Sequence, residues 1–297
     1  MKKKVNRSLS VFSLFFVLVF FSAVCDAASQ TQKNFLWKVQ SRTNTVFILG
    51  SIHFMKKDIY PLDKKIEDAF DKSEVLAVEA NVNDVGSLNI QGLMDSAFYQ
   101  GDDTLEKHVS GETYELVKKE FAASGMLLGL VDKQKPWFLA LTLTSLKLMQ
   151  LRFDPTYGID MHFLSKAAGK KRIAELESLD YQINLLSGFS DKEQEAFLLY
   201  SVKEMETLGQ EVNALARAWK SGDTQTIESL LTKSGDKGMS SLNEKMLYER
   251  NRHMASRIDD YLRTKETYFV IVGAGHLVGN KGIIEILKGK GYLVEQL

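Results

Sequence analysis

Tyr268-Phe269-Val270-Ile271-Val272, running into Gly273-Ala274-Gly275-His276, is the stretch on which the fold turns. Five consecutive β-branched or aromatic residues leave no polar face for water. Such a run reads as a strand buried on both sides, the kind found in parallel sheets covered by helices. The glycines turn the chain off the strand, Gly282 to Lys288 has the spacing of a short helix, and Tyr292-Leu293-Val294 returns as a final strand. Together these predict one β-α-β unit.

The same pattern stands near the other end of the chain. Thr45-Val46-Phe47-Ile48-Leu49 leads into Gly50-Ser51-Ile52-His53. Before it, Phe35-Leu36-Trp37-Lys38-Val39 and the turn Ser41-Arg42-Thr43-Asn44 predict a hairpin. Pro61 to Lys72 has helical spacing, with Leu62, Ile66, Ala69 and Phe70 on one side. Val75-Leu76-Ala77-Val78 is then a short strand ending at Glu79, which completes a β-β-α-β opening.

Between the two ends the pattern is largely helical: Glu112 to Ala123, Lys135 to Leu151, Ile159 to Ala168, Asp191 to Leu208, Val212 to Lys220, Thr224 to Leu231 and Ser241 to Leu262. Asp103 and Glu106 read as a capping box at a helix start. Lys171-Arg172-Ile173-Ala174-Glu175-Leu176 reads as one more strand, ending at Glu177. The expected architecture is an α/β fold. Its central sheet is mixed or mostly parallel and built from both chain ends, and a large helical insertion covers the C-terminal edge of the strands.

Composition narrows the function classes. Lys plus Arg and Asp plus Glu both number 38, so the chain carries no basic footprint for nucleic acid. Lys2, Lys3, Lys4 and Arg7 precede an apolar run from Val11 to Val24, and small residues follow at Ala27-Ala28. This reads as a signal peptide over residues 1–27, followed by a single domain over 28–297. Retention of the segment as a membrane anchor is the alternative. Acylation at Cys25 ranks lower, because Val24 is bulky for a lipobox. Removal of 1–27 takes away four basic residues and one acid, which moves the net charge from 0 to −3, and it removes the one cysteine. A metal site in the remaining chain must then use His, Asp, Glu or water, which suits an oxidising exported setting. The expected location is periplasmic or extracellular, with membrane contact only through a retained leader.

In open parallel sheets, ligands bind beyond the carboxyl ends of the strands. Four strands here end in reactive groups: Gly50-Ser51-Ile52-His53, Glu79, Glu177 and Gly273-Ala274-Gly275-His276. Imidazole and carboxylate together suit a divalent transition metal, and a metal-bound water attacks carbonyls at neutral pH. Glycine three residues before each histidine is read as permitting a sharp turn and a close backbone approach. Each residue also has a plainer reading. Glu79 and Glu177 could cap the segments that follow them. Ser51 lacks the Gly-x-Ser-x-Gly elbow of a nucleophile. Asp160 either begins a helix or points to the rim. Arg250 and Arg252 either form a solvated helix face, or one of them reaches the rim to bind a carboxylate or oxyanion. His108 and His253 read as surface residues, and His162 as packed. A dinucleotide site at Gly273-x-Gly275 fails, because the third glycine is misplaced and no second half follows.

Taken in order, Leu49-Gly50-Ser51-Ile52-His53, Val78-Glu79, Tyr157-Gly158-Ile159-Asp160, Leu176-Glu177-Ser178, Tyr181-Gln182, Ala218-Trp219-Lys220-Ser221-Gly222-Asp223, Glu249-Arg250-Asn251 and Val272-Gly273-Ala274-Gly275-His276-Leu277-Val278-Gly279 resemble the TraB/GumN family, which includes proteins of the PrgY kind. The family is similar to the TIKI Wnt-cleaving metalloproteases, the erythromycin esterases and the ChaN haem-binding lipoproteins. The resemblance implies His53, Glu79 and His276 as metal ligands, with Glu177 and Arg250 in supporting or catalytic roles and Mn, Co or Zn as the ion. It implies a hydrolase acting on a peptide or small-molecule substrate. Two other readings stand beside it: a non-catalytic protein that sequesters a peptide signal, metal or haem, and an accessory factor in surface-polysaccharide production.

Overall fold

A computed structural model describes residues 33–297 apart from 85, 87, 124–127 and 233–238. The leader expected over 1–27 lies outside the described residues. β1 (Leu36–Gln40) and β2 (Thr45–Ser51) form the hairpin, antiparallel with Leu36 opposite Leu49. α1 (Lys64–Lys72), capped by Asp63, leads to β3 (Val75–Val78). After α2 (Ile90–Ala97), α3 (Gly111–Ala123), α4 (Pro136–Gln150) and α5 (Ile159–Ala167) comes β4 (Arg172–Glu175). Then follow α6 (Leu179–Ser187), α7 (Asp191–Lys203), α8 (Leu208–Ser221), α9 (Thr224–Thr232), α10 (Met239–Asn243), a π-helical stretch (Glu244–Glu249) and α11 (Arg250–Tyr261). β5 (Tyr268–Gly273), α12 (Ile283–Gly289) and β6 (Leu293–Gln296) close the chain.

The six strands lie in the order β4-β3-β5-β2-β1-β6. β5 sits between β2 and β3 and is parallel to both, and β3 is parallel to β4, so both chain ends build one mixed sheet. The β2–α1–β3 crossover runs toward one edge and β5–α12–β6 toward the other. Right-handed crossovers in opposite directions place their helices on opposite faces. The aromatic packing agrees. Phe269 meets Phe70 of α1 and Phe163 of α5, with ring centroids 5.5 and 5.0 Å away. Its neighbour Tyr268 points the other way and stacks on Tyr261 of α11 at 4.1 Å. Phe70, Phe163 and Phe269 are buried, and each such ring stabilises the fold by roughly 1.5–3 kcal/mol. The helical insertion has its own apolar cluster, where Val117 and Phe121 of α3 pack with Leu139 and Leu143 of α4 and Leu198 of α7.

β6 runs parallel to β5, as the β-α-β reading expects, and adds antiparallel to β1 at the sheet edge, where Leu293 is exposed. Two local expectations are corrected. Asp103 is no helix cap. Its carboxylate takes a hydrogen bond from the Thr104 N–H and bonds His108 Nε2 at 2.7 Å, while the ring of His108 stacks on Tyr99. The long helix expected over 241–262 is broken by the π-helical stretch immediately before Arg250.

Candidate active site at the carboxyl rim

Because β2, β5, β3 and β4 are parallel and in register, their carboxyl ends share one rim. His53 lies two residues past β2, Glu79 one past β3, Glu177 two past β4 and His276 three past β5. The β3–β4 pairing continues past the strands, since Glu177 N–H donates to Glu79 O at 2.8 Å, and this sets the two carboxylates side by side.

Arg250 clamps both acids. Its Nη2 donates to Glu79 Oε2 at 2.6 Å and to Glu177 Oε2 at 2.8 Å, its Nε reaches Glu177 Oε2 at 3.0 Å, and its Nη1 reaches Met246 O. Gln182 Nε2 bridges the same two carboxylates at 3.3 and 3.1 Å. The Glu177 side chain is 0% exposed and the Arg250 side chain 12% exposed. Burial works against the charge on Arg250, but Glu177 and Glu79 hold its pKa above the ordinary value.

Glu79 Oε1 faces the other way. It accepts from Gly273 N–H at 2.5 Å and lies 3.7 Å from His276 Nε2. Burial disfavours the Glu79 carboxylate, yet His276, Arg250, His53 and the Gly273 amide hold its pKa at about 2. Burial lowers the pKa of His276 itself, so that ring is neutral at neutral pH, and Arg250 and His53 are the neighbours whose charge counts for Glu79 there. The His276 tautomer follows from its network. Asn251 Nδ2 donates to Lys281 O at 2.9 Å, which turns Asn251 Oδ1 toward His276 Nδ1 at 2.6 Å. Nδ1 therefore carries the proton and donates it to Asn251, and the Nε2 lone pair faces Glu79.

His53 is held in the same manner. Its Nδ1 bonds Asp160 Oδ1 at 2.9 Å, while 64% of its side chain is exposed. Crowding by protein atoms disfavours its charge, but Asp160 and Glu79 raise its pKa to about 9. Asp160 comes from the first turn of α5, so both sequence readings of that residue apply. Burial would raise the Asp160 pKa, and His53 lowers it below the usual range. Ser51 Oγ lies beside Asp160 and helps hold that carboxyl down. His53, Glu79, Asp160 and Val82 border a cleft of about 60 Å³.

The donor chemistry fits a divalent cation. Two imidazoles have Nδ1 engaged and Nε2 uncommitted, the arrangement that orients a ligating histidine. Two carboxylates on one guanidinium leave excess negative charge in the rim. Among the described residues no three His, Asp or Glu side chains are drawn close enough to enclose an ion.

The remaining sequence candidates are placed elsewhere. Arg252 pairs with Glu244 on the surface. His162 packs between Tyr60 and Phe163, 3.3 Å from Glu67. The cap of α6 is Ser178, not Glu177. Sequence reasoning gave no role to Asn251 or Gln182. Asn251 did carry a signal: it is a polar residue in the buried stripe Asn251, Met254, Ala255 and Ile258.

A model of the TraB/PrgY/gumN family matches residues 35–296. An uncharacterized protein of Treponema pallidum is 22% identical over 88% of this chain and 82% of its own length. The uncharacterized protein YbaP of Escherichia coli is 26% identical, over 81% of this chain and 87% of YbaP. A metalloprotease TIKI homolog of Amphimedon queenslandica is 22% identical over 90% of this chain, and the match spans 62% of that longer protein. No solved structure matches the chain significantly.

Proposed function

The chain belongs to the TraB/PrgY/gumN family, and from that membership and the rim geometry we propose a metal-dependent hydrolase that cleaves peptide bonds. The carrying observation is the pair of oriented imidazoles, His276 held by Asn251 and His53 held by Asp160, flanking the ionised Glu79. The metalloprotease names of similar animal proteins support the reaction class. His53, Glu79 and His276 would hold the ion. A bound Mn, Co or Zn ion supplies a Lewis acid for the carbonyl and acidifies a water.

The chain's own residues set up that chemistry. Glu79 Oε1 presents negative charge toward His276, and Oε2 is fixed by Arg250 and Gln182. Glu177 is buried with both oxygens engaged, which favours support of Glu79 through Arg250 over direct proton transfer. Arg250 turns four hydrogen bonds to the two carboxylates and one to Met246 O, so it orients the acids before it contacts any substrate. Export belongs to the same proposal, supported by the basic and apolar run before Ala27.

The test uses chain expressed with its leader and recovered from the periplasm. Elemental analysis should find one divalent ion per chain, and His276→Ala should lose it. A peptide library supplied with Mn or Co should yield new termini with the wild type and none with the variant. Equal metal content in both proteins, or peptides returned intact, would remove the hydrolase reading; intact but retained peptide would mark a sequestering protein.

A further inference from the structure

The cleft that contains His53 and Glu79 holds about 60 Å³. That admits a water or an ion, not a peptide, whereas small-molecule sites are typically several hundred Å³. A cavity of about 540 Å³ lies against the turn that carries His276. Gly275 and Val278, which bracket His276, form one wall, and α9 supplies another. The third wall is the π-helical stretch Glu244–Glu249, which runs directly into Arg250. Two of the three walls thus continue into residues of the rim. π-helical turns that interrupt regular helices frequently lie at functional sites.

The lining has a definite chemistry. Leu231, Leu247 and Val278 give an apolar surface. Glu244 is neutralised by Arg252 and Lys281. Glu228 is different: among the described residues no hydrogen bond or ion pair engages its carboxylate. It rests against Gly279, whose left-handed backbone (φ +78) has no Cβ to displace it. An apolar wall ending in an exposed carboxylate that has no partner among the described residues matches an aliphatic stem with a cationic head.

We propose that this cavity binds a lysine side chain of the peptide substrate, with the adjoining peptide bond crossing the 273–276 turn to the rim. The proposal rests on the hydrolase reading for its substrate, but its test does not require turnover.

Fluorescein-labelled pentapeptides with a central lysine or its neutral analogue norleucine, flanked by alanine and leucine, would be titrated into the full chain by anisotropy. The lysine peptide should bind about tenfold more tightly, the size of one charge-assisted contact. Glu228→Gln should erase that preference and leave the norleucine peptide unchanged, and Leu247→Trp should weaken both peptides by filling the cavity. Thermal melts check folding, and Glu228→Gln decides alone if Leu247→Trp does not fold. Equal binding of the two peptides by the wild type, or an intact lysine preference in Glu228→Gln, overturns the assignment. Cleavage without lysine preference would sink this cavity and leave the hydrolase; lysine-dependent binding without cleavage would do the reverse.

Discussion

The two glycines that stand three residues before the rim histidines serve different ends. A Cβ at Gly50 would fall 2.3 Å from Cδ1 of Phe35 and 3.2 Å from Cα of Ala274. At Gly273 it would press on Glu79 Oε1 at 3.3 Å, the oxygen that takes the Gly273 N–H. Neither has positive φ, so close approach rather than a sharp turn explains both. Gly50→Ala should cost about 1–3 kcal/mol, read from the urea midpoint, because the Phe35 ring is fully buried and cannot swing aside. Asn251→Leu should leave His276 Nδ1 without an acceptor and weaken metal affinity about 10- to 100-fold. An unchanged affinity on titration with Mn would deny Asn251 its positioning role. His53 must shed a proton to ligate an ion. With its pKa raised to about 9, apparent metal affinity should climb about tenfold per pH unit from 7 toward 9 and level off above. A flat profile over that window would exclude His53 from the ligand set. The pairing of Gly-x-x-His with strand-end acids was legible in the sequence. Of the imidazoles' partners, Asp160 was legible only as an acid that could point to the rim and Asn251 not at all, since they lie 107 residues from His53 and 25 from His276.

At the scale of elements, the placement of His53 depends on α5. Ile159 N–H donates to Ile52 O at 3.2 Å, and a Cβ on Gly158 would strike His53 O at 2.3 Å. The N-terminus of α5 thus lies on the loop after β2 and brings Asp160 under the imidazole. Trp219 of α8 secures the end of β2, just before that loop, by donating Nε1–H to Gly50 O at 2.6 Å. Helix periodicity located α5 and α8, but it carries no record of which loop a helix end will touch. Local chemistry also misled at Asp103, whose spacing to Glu106 imitates a cap although Asp103 bonds His108 instead. The true capping box is Ser190 with Glu193 at the start of α7. Lys245 pulls the Glu193 pKa down to about 2, aided by the Ser190 amide and the Ser241 hydroxyl. A carboxylate depressed in the folded state adds stability above its unfolded pKa and loses it as pH falls through the folded one. Glu193→Ala should therefore cost about 1 kcal/mol at pH 7, mostly from the lost cap, since Lys245 is partly exposed and contributes little. The deficit should shrink between pH 4.5 and about 2 in urea melts; a deficit independent of pH would contradict this.

For the whole molecule, topology creates the site. β5 arrives late in the chain yet inserts between β2 and β3, which sets the loop after β5 between those after β2 and β3. A sheet made from both ends was readable from two matching apolar runs, each followed by Gly-x-x-His. The strand order was not readable, because apolar strands of four to seven residues do not encode their neighbours. β6 shows the consequence: it returns parallel to β5 after α12, as its sequence reads, yet it pairs with β1 at the far edge rather than beside β5. The central claim is that the two histidine loops and Glu79 form a single metal centre. Crystals grown with Mn and measured at the Mn absorption edge test it most directly. The expected result is one anomalous peak per chain, bonded to Nε2 of both His53 and His276 and to Glu79. A peak that touches only one of the two imidazoles, or that lies away from the rim, would contradict it.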